Sequence, residues 1–519
     1  MSRNNKKSFL IAQVEAPHRA DGGDYYYRTH APGIAMAKQE GIYVVNLTNV
    51  HRRKDQIMRE ADVLVLNSIC DPDLLPLIME RKALGRLTVY EIGDDLTAIE
   101  PWNPVYFFFK NRENLALTYR LANCCDALQV SGSELKRLYG QLNDNCVIFP
   151  NHILNIPLER PVKIQKEIVL GWGGSQGHLQ DMAEIAEPLI NWLTTKPNVV
   201  LHLMCSESIW TLFDPLPQHK KRRTLPGSID DYYNFLSRID IGIAPLKDTF
   251  YNRSRSDVKF LEYAISGVVP VMSHVTPYIN TVRNGETGFL FRSSNEFVNI
   301  LNRLIEDGSL RIEIVQKARQ YVLQERLQLQ HGLDRVEFYR DLLRSLYGQT
   351  HRDSRGVQLF SEWAELEGAV RKGRHLRLYP TLFENMVHDG IVLHQVDGNK
   401  EKACLLFVEA MRLEPDNYLP YLLSAFSLND SIKNLQKALS LNARSVRAWV
   451  WLGEQYVKQN DIKNALKCFD SAANIFPDYE IPYLRAASLL RSVGKKVEGD
   501  FLLNKAENLK RSIPSPHRM

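Results

Sequence analysis

No C-x-x-C pair occurs in the sequence, and its seven cysteines, at 70, 124, 125, 146, 205, 404 and 468, make an odd total. That pattern excludes a disulfide framework and a cysteine-based zinc site, and it fits a reducing, cytoplasmic compartment. Also missing is any apolar run near the roughly 18 residues that a membrane span needs. Lys6 and Lys7 ahead of FLIAQV imitate the start of a signal peptide. Glu15 and Pro17 cut that run short, however, and no small-residue cleavage site follows. The expectation is a cytoplasmic protein with no transmembrane segment and at most peripheral membrane contact. Charge of one sign is scarce as well: a net +5 over 519 residues does not indicate a nucleic-acid binder. The one dense basic run, Lys220-Lys221-Arg222-Arg223 between Pro217 and Pro226, reads as a solvated loop, with an anionic membrane or substrate as the alternative.

What is there is an ordinary globular composition, 44% hydrophobic and 24% charged, over a length too great for one core. Three domains are expected. Phe9–Val14, Val44–Leu47, Val63–Leu66, Leu87–Ile92, Ala127–Val130 and Val147–Phe149 read as short buried strands. Helical stretches separate several of them, and YYYRTHAPGIAMAKQEG reads as an amphipathic helix stopped by Gly41. Alternation of this kind predicts a doubly wound parallel sheet within residues 1–158. After the first strand, the Gly22-Gly23 pair of Asp21-Gly22-Gly23-Asp24 is either a simple turn or backbone kept bare for close approach to a ligand. Asp94 and Asp95 in YEIGDDL stand just past a strand end, where an Asx turn and a ligand contact are both open readings.

Residues 159–347 read as a second α/β domain. IVLGWGGSQGHLQDM is strand, glycine-rich turn and helix start, with Gly171, Gly173, Gly174 and Ser175 at the turn. Backbone amides there can point at phosphate oxygens, and the helix dipole beyond favours negative charge. His178 reads as a structural hydrogen-bonder rather than a catalyst. Val199–Met204 is another strand. Ile239–Leu246, a helix Asp257–Ser266 with Ser256 as N-cap, and Val268–Ser273 then form a strand–helix–strand crossover, which makes the two strands parallel. On that helix Val258, Leu261 and Ile265 share one face, while Lys259, Glu262, Tyr263 and Ser266 share another. A polar face with Lys and Glu, at a helix N-terminus above a strand's carboxyl end, is where α/β folds hold phosphorylated ligands. An ordinary solvated ion pair is the alternative reading.

KFLEYAISGVVPVMS, followed by PY and NGETGFLF, resembles the donor-binding segment of retaining GT-B glycosyltransferases of the group 1, family-four-like kind. The ordered set YYYRTHAP, EIGDDL, DALQVSGSELKRLYG and VIFPN looks like the acceptor-side domain of the same branch. The resemblance implies two Rossmann-like domains and a nucleotide-sugar donor held by the second. It places Glu262 on the nucleotide ribose, Arg255 and Lys259 near the diphosphate, and the Gly173–Ser175 loop facing that diphosphate. Gly22-Gly23 would close the cleft from the other domain, Asp94 would help place acceptor or sugar, and VEFYRDLLRSLY would cross back onto the first domain. Two departures stand out. Ser254 occupies the position of the family's first spaced glutamate, and the Arg and Lys that many relatives carry after the strand at 168–173 are missing.

Internal repetition organises the last part of the chain. Ala403, Phe407, Ala410 and Pro415 recur at one offset as Ala465, Phe469, Ala472 and Pro477. Leu435 and Ala438 keep the register of a shortened middle unit, and Trp449, Leu452, Gly453 and Tyr456 precede the second set. That is the tetratricopeptide pattern, and Tyr483, Ala487, Gly494, Leu503 and Ala506 carry a further unit. Residues 379–519 are thus expected to stack as helix pairs whose groove takes a peptide or protein, with 348–378 as linker and adaptor.

The combined expectation is an α/β plus all-α protein that moves a sugar from a nucleotide-sugar donor to an acceptor hydroxyl, with retention and without metal or other cofactor. The acceptor is a protein, such as a bacterial flagellin, recruited by the repeats, or a surface polysaccharide. A nucleotide-sugar 2-epimerase and a degenerate transferase acting as a binding scaffold are the other classes that fit.

Overall fold

The computed structural model describes residues 8–16, 22–103, 105–158, 167–348, 355–366, 369–378, 380–395, 398–425 and 431–514. Asp21 and the HRDSRG stretch up to residue 354 lie outside them. The strands of the first domain are β1 (Phe9–Glu15), β2 (Ile42–Thr48), β3 (Val63–Asn67), β4 (Leu87–Ile92), β5 (Ala127–Val130) and β6 (Cys146–Ile148). Those of the second are β7 (Ile168–Gly173), β8 (Val199–Met204), β9 (Lys221–Thr224), β10 (Ile241–Ala244), β11 (Val269–Ser273) and β12 (Phe289–Phe291). A late pair follows, β13 (Ala369–Lys372) and β14 (His375–Leu378). The first sheet runs β13-β14-β2-β1-β3-β4-β5-β6, and the second runs β12-β11-β10-β7-β8-β9. All neighbours pair in parallel except the β13–β14 hairpin.

Helices on both faces of each sheet explain why the strands read as unbroken apolar runs. Alternate residues of β1 go to opposite faces. Leu10, Ala12 and Val14 join one core, whereas Phe9 and Ile11 join another. That second core is closed by the Gly332–Tyr347 helix, which contains VEFYRDLLRSLY and returns from the second domain. Tyr339 Oη donates to Gln129 Oε1 at 2.7 Å, and Tyr347 Oη donates to Asp126 Oδ1 at 2.7 Å.

Two sequence-based expectations change. The basic run is not a solvated loop: Lys221–Thr224 is β9, the edge strand paired with β8. Lys221 Nζ donates to the Phe213 carbonyl at 2.8 Å and sits 4.7 Å from the Trp210 ring centroid, so a long apolar stem and several donors are put to structural use. The helix of the central crossover begins at Val258, with Asp257 rather than Ser256 at its N-cap position. Asp257 makes no side-chain cap because Arg326 binds it through two nitrogens, at 2.7 and 3.1 Å. Within 348–378, expected as linker and adaptor, the described residues join the first domain. Arg355–Ala364 is helical and packs on the first sheet, and β14 extends that sheet alongside β2.

Among the described residues the repeats form four helix pairs, from Leu382–Gln395 with Lys400–Leu413 to Glu480–Ser492 with Lys496–Arg511. Close approach within a pair depends on glycine. A Cβ added at Gly453 would lie 2.5 Å from Phe469, and one at Gly390 the same distance from Phe407. The stack of helix pairs packs against the first domain. The first helix of every pair touches the first domain. Glu384 accepts from the Arg52 amide at 3.0 Å, and Lys54 Nζ donates to Tyr418 Oη at 3.1 Å. Arg447 pairs with Asp71 at 3.0 Å, and Glu480 pairs with Arg120 at 2.7 Å. Val446, Val450 and Ile481 share a core with Leu74, Leu75 and Leu121.

Arg120 and Glu480 are both almost fully buried, so truncating one strands the other charge. Arg120→Ala is expected to lower the unfolding free energy by about 3–5 kcal/mol in urea titrations; a loss below about 1 kcal/mol would contradict a buried docking pair. Burial also depresses several histidines: His30, His51, His178 and His202 to about 4, and His375 to about 3. Their neutral forms are favoured only in the folded state. Stability is therefore fully present above about pH 6.5 and is lost as the pH falls toward 4, because the unfolded chain takes up protons first. The urea midpoint followed by circular dichroism should fall across that window, not rise.

Candidate active site

The two parallel sheets present their carboxyl ends to one cleft, and the residues past those ends meet there. From the second domain comes Arg255, in the turn between the Phe250–Arg253 and Val258–Ile265 helices. Its Nη1 donates to His178 Nε2 at 2.8 Å, its Cζ lies 4.9 Å from the Tyr251 ring centroid, and its Nε is buried with no partner among the described residues. His178 Nδ1 in turn lies 2.9 Å from Asp181 Oδ2. Burial, reinforced by Arg255, lowers the His178 pKa to about 4. Burial opposes the charge on Arg255, but Tyr251, Asp94, Asp181 and Tyr278 outweigh it and hold its pKa above the ordinary value.

One turn along, Lys259 Nζ donates to Tyr232 Oη at 2.8 Å and lies 3.5 Å from Glu262 Oε2. Glu262 is only 3% exposed. Its two carboxylate oxygens accept from Tyr27 and Tyr232, each at 2.8 Å, and Tyr27 belongs to the other domain. Burial, then the Glu262 charge, raises both tyrosine pKa values well above the ordinary one, so both act as donors. Tyr27 reaches across because Tyr26–His30 is a π-helical turn within the first long helical segment. That turn puts Tyr26 and Tyr27 into the second domain's core while Arg28 turns back to Glu91, Phe149 and Asn151 of its own domain.

The other sequence-selected residues divide. Gly173 ends β7, and a Cβ there would lie 2.8 Å from the Tyr232 ring; one at Gly174 would lie 2.6 Å from Trp172. Both glycines make room for aromatic side chains, while Ser175 is exposed at the start of the following helical turn. Gly22 and Gly23 are exposed at a helix start, and the adjoining Asp24 brings that turn within 3.5 Å of a Cβ built on Gly93, next to Asp94. Asp94 is half-buried and acts on Arg255 electrostatically. Asp95 instead closes an Asx turn, accepting from the Thr97 amide at 2.9 Å and hydroxyl at 2.6 Å. Ser254 donates to the Tyr251 carbonyl at 2.7 Å, so it fills the missing glutamate's place with a local backbone contact. From the first domain, Trp102 Nε1 donates to the Gly177 carbonyl at 3.3 Å and Asn103 to Tyr251 Oη at 3.1 Å. YYYRTHAP includes Tyr27 but does not announce its reach across the domains, and nothing in the sequence pattern marks Tyr232, Trp102 or Asn103. The His178/Asp181 spacing at a helix start was a legible signal for that pair. Among the described residues, no three His, Cys, Asp or Glu side chains are grouped to hold a metal ion, and no helix is long and apolar enough to cross a membrane.

No protein-family model and no curated protein sequence matches the chain. Solved structures do. HepE from Anabaena, crystallised with UDP and glucose, is 15% identical, with 63% of this chain and 98% of that one covered at a TM-score of 0.47. The sucrose-phosphate synthase of Thermosynechococcus elongatus is 12% identical, with 65% and 100% covered at 0.45. MamA of RS-1 is 14% identical, with 30% and 85% covered at 0.24. Two doubly wound parallel sheets facing one cleft, a helix returning across it, and paired helices behind give the chain the GT-B architecture with a tetratricopeptide-like module.

Tyr27→Phe removes one donor from a buried carboxylate and is expected to destabilise the protein by about 1–3 kcal/mol. A urea unfolding curve superimposable on that of the unaltered protein would contradict the contact between domains.

Proposed function

We propose that the chain transfers a sugar from a nucleoside-diphosphate donor to an acceptor hydroxyl in the cleft between the sheets. One observation carries this reading: Arg255 is a half-buried cation in the cleft that touches no carboxylate among the described residues and keeps a buried donor N–H unused. Asp94 and Asp181 favour that charge without contacting the guanidinium, which leaves its free donor for a diphosphate with acceptor oxygens on several sides. As the bond from the anomeric carbon to the diphosphate breaks, negative charge grows on the departing oxygen. Arg255 and Lys259 are fixed in advance to stabilise that charge, whereas the Gly174 amide of the glycine turn is already donated to the Met204 carbonyl at 3.1 Å. Charge neutralisation falls to the two cations, and no metal ion is required. The acceptor oxygen forms its bond to the anomeric carbon on the face that the diphosphate leaves. Its proton passes to the departing phosphate oxygen, which preserves the anomeric configuration without a covalent nucleophile.

Glu262 is assigned to the nucleotide ribose, whose hydroxyls replace those of Tyr27 and Tyr232 on the carboxylate. Asp94 faces the same space from the first domain and helps place the sugar or acceptor. The cavity lined by Asp95, Glu134, Arg137 and Leu138 on one side and Phe250, Arg253 and Ser254 on the other is assigned to the acceptor. It adjoins Asp94 and Arg255 in the chain and draws on both domains. A flagellin-like protein or a polysaccharide is assigned to this cavity as the acceptor, while the first helices of the repeats pack on the first domain.

Offered UDP-, GDP- and dTDP-sugars, the protein is expected to release the nucleotide from one class. That class at 100 times its dissociation constant should add about 2.7 kcal/mol of stability in a thermal melt. Lys259→Ala and Glu262→Ala should each cut release by about 10²-fold or more. Binding without any release would support the scaffold class instead, and near-normal turnover in both variants would overturn the site assignment.

A further inference from the structure

We propose that His178 and Asp181 are positioning residues that hold the Arg255 guanidinium in the orientation needed to grip the donor's diphosphate, an inference that rests on the donor reading above. Three links make the device. Arg255 can only donate, so the 2.8 Å contact from its Nη1 requires a lone pair on His178 Nε2. The imidazole is therefore neutral, with its proton on Nδ1, where Asp181 Oδ2 accepts it at 2.9 Å. Asp181 is fixed in turn because its other oxygen accepts from the Lys247 amide and from Asn252 Nδ2, both at 2.8 Å. Those two donors lie in the segment after β10 that leads into Arg255 itself. The carboxylate thus sets the tautomer, the tautomer sets the guanidinium, and the loop that carries the guanidinium holds the carboxylate.

The chemistry of the intermediary explains why a histidine stands there. A carboxylate in direct contact with Arg255 would neutralise it and compete with a diphosphate. A neutral imidazole orients the cation and leaves its charge for the ligand. The remaining surroundings agree. Tyr251 supports one face of the guanidinium, Trp172 meets the imidazole edge-on at 5.7 Å, and the buried Nε of Arg255 keeps a donor to spare. A Cβ built on Gly177 would lie 3.6 Å from Arg255 Nη2, so a bare backbone flanks the same group.

The test measures UDP, GDP and dTDP binding by titration calorimetry, each against its nucleoside. For the diphosphate that the unaltered protein binds, His178→Phe should weaken affinity about tenfold and leave the nucleoside's affinity unchanged. In an Arg255→Ala background the same substitution should add no further loss, because its effect passes through Arg255. Asp181→Asn, which preserves size and the acceptor for Lys247 and Asn252, should turn the imidazole to the other tautomer and produce the same selective loss even if His178→Phe fails to fold. His178→Gln, which retains an acceptor oxygen, should recover part of the affinity. Equal losses for diphosphate and nucleoside, or the same loss with and without Arg255, would overturn the positioning role alone. An unaltered protein that binds none of the three diphosphates would overturn the donor reading and this inference together.

Discussion

Arg255 carries its charge half-buried against a neutral imidazole, and the structure around it is what makes that placement tolerable. The guanidinium needs a ring beneath it, a lone pair to receive one N–H, and negative charge near enough to help without touching. Tyr251, His178 and the pair Asp94 and Asp181 meet those needs, and they come from both domains. Each is delivered by a strand end. β4 leads to Asp94, β7 to His178 and Asp181, and β10 to Tyr251 and Arg255. Parallel strands put those ends on one side of each sheet, which is why residues so far apart in sequence converge.

Holding two sheets at a shared cleft is a separate problem, and the chain addresses it with buried polar contacts. Tyr27 crosses to Glu262, the helix 332–347 crosses back to Gln129 and Asp126, and Trp102 and Asn103 lie against the glycine turn and Tyr251. The repeats brace the first domain from behind. Their first helices grip the segment after β2 and the helices Leu74–Ala83 and Arg112–Cys124 through Glu384, Tyr418, Arg447 and Glu480. The repeats pack on part of the same chain, so the domain that carries Asp94 is braced by the second domain on one side and by the repeats on the other.

Much of the scaffold was legible in the sequence because burial on both faces leaves a local mark. Leu87–Ile92, Ala127–Val130 and Val199–Met204 could be bounded to the residue, since each apolar run begins and ends where the strand does. The repeats showed themselves through glycine and phenylalanine at fixed spacing, the pair that lets helices touch. Strands that do not look like strands escaped. β9 is made of Lys, Arg, Arg and Thr, and its edge position lets those side chains leave the sheet. β14 carries His375 and Arg377 among its four residues and owes its place to pairing with β2, a contact that no local pattern announces. At the site, Lys259 and Glu262 were visible as one face of a helix. The aromatic hydroxyls that satisfy Glu262 were not, because Tyr27 reaches it through a π-helical turn and across a domain boundary.

The central claim is that Arg255 waits for a diphosphate, and a crystal structure of the complex with a nucleoside diphosphate tests it most directly. Phosphate oxygens are predicted at about 2.7–3.0 Å from the Arg255 guanidinium nitrogens, with the His178 and Asp181 contacts kept. A nucleotide bound elsewhere, leaving Arg255 on His178 with its Nε still unpartnered, would contradict the account.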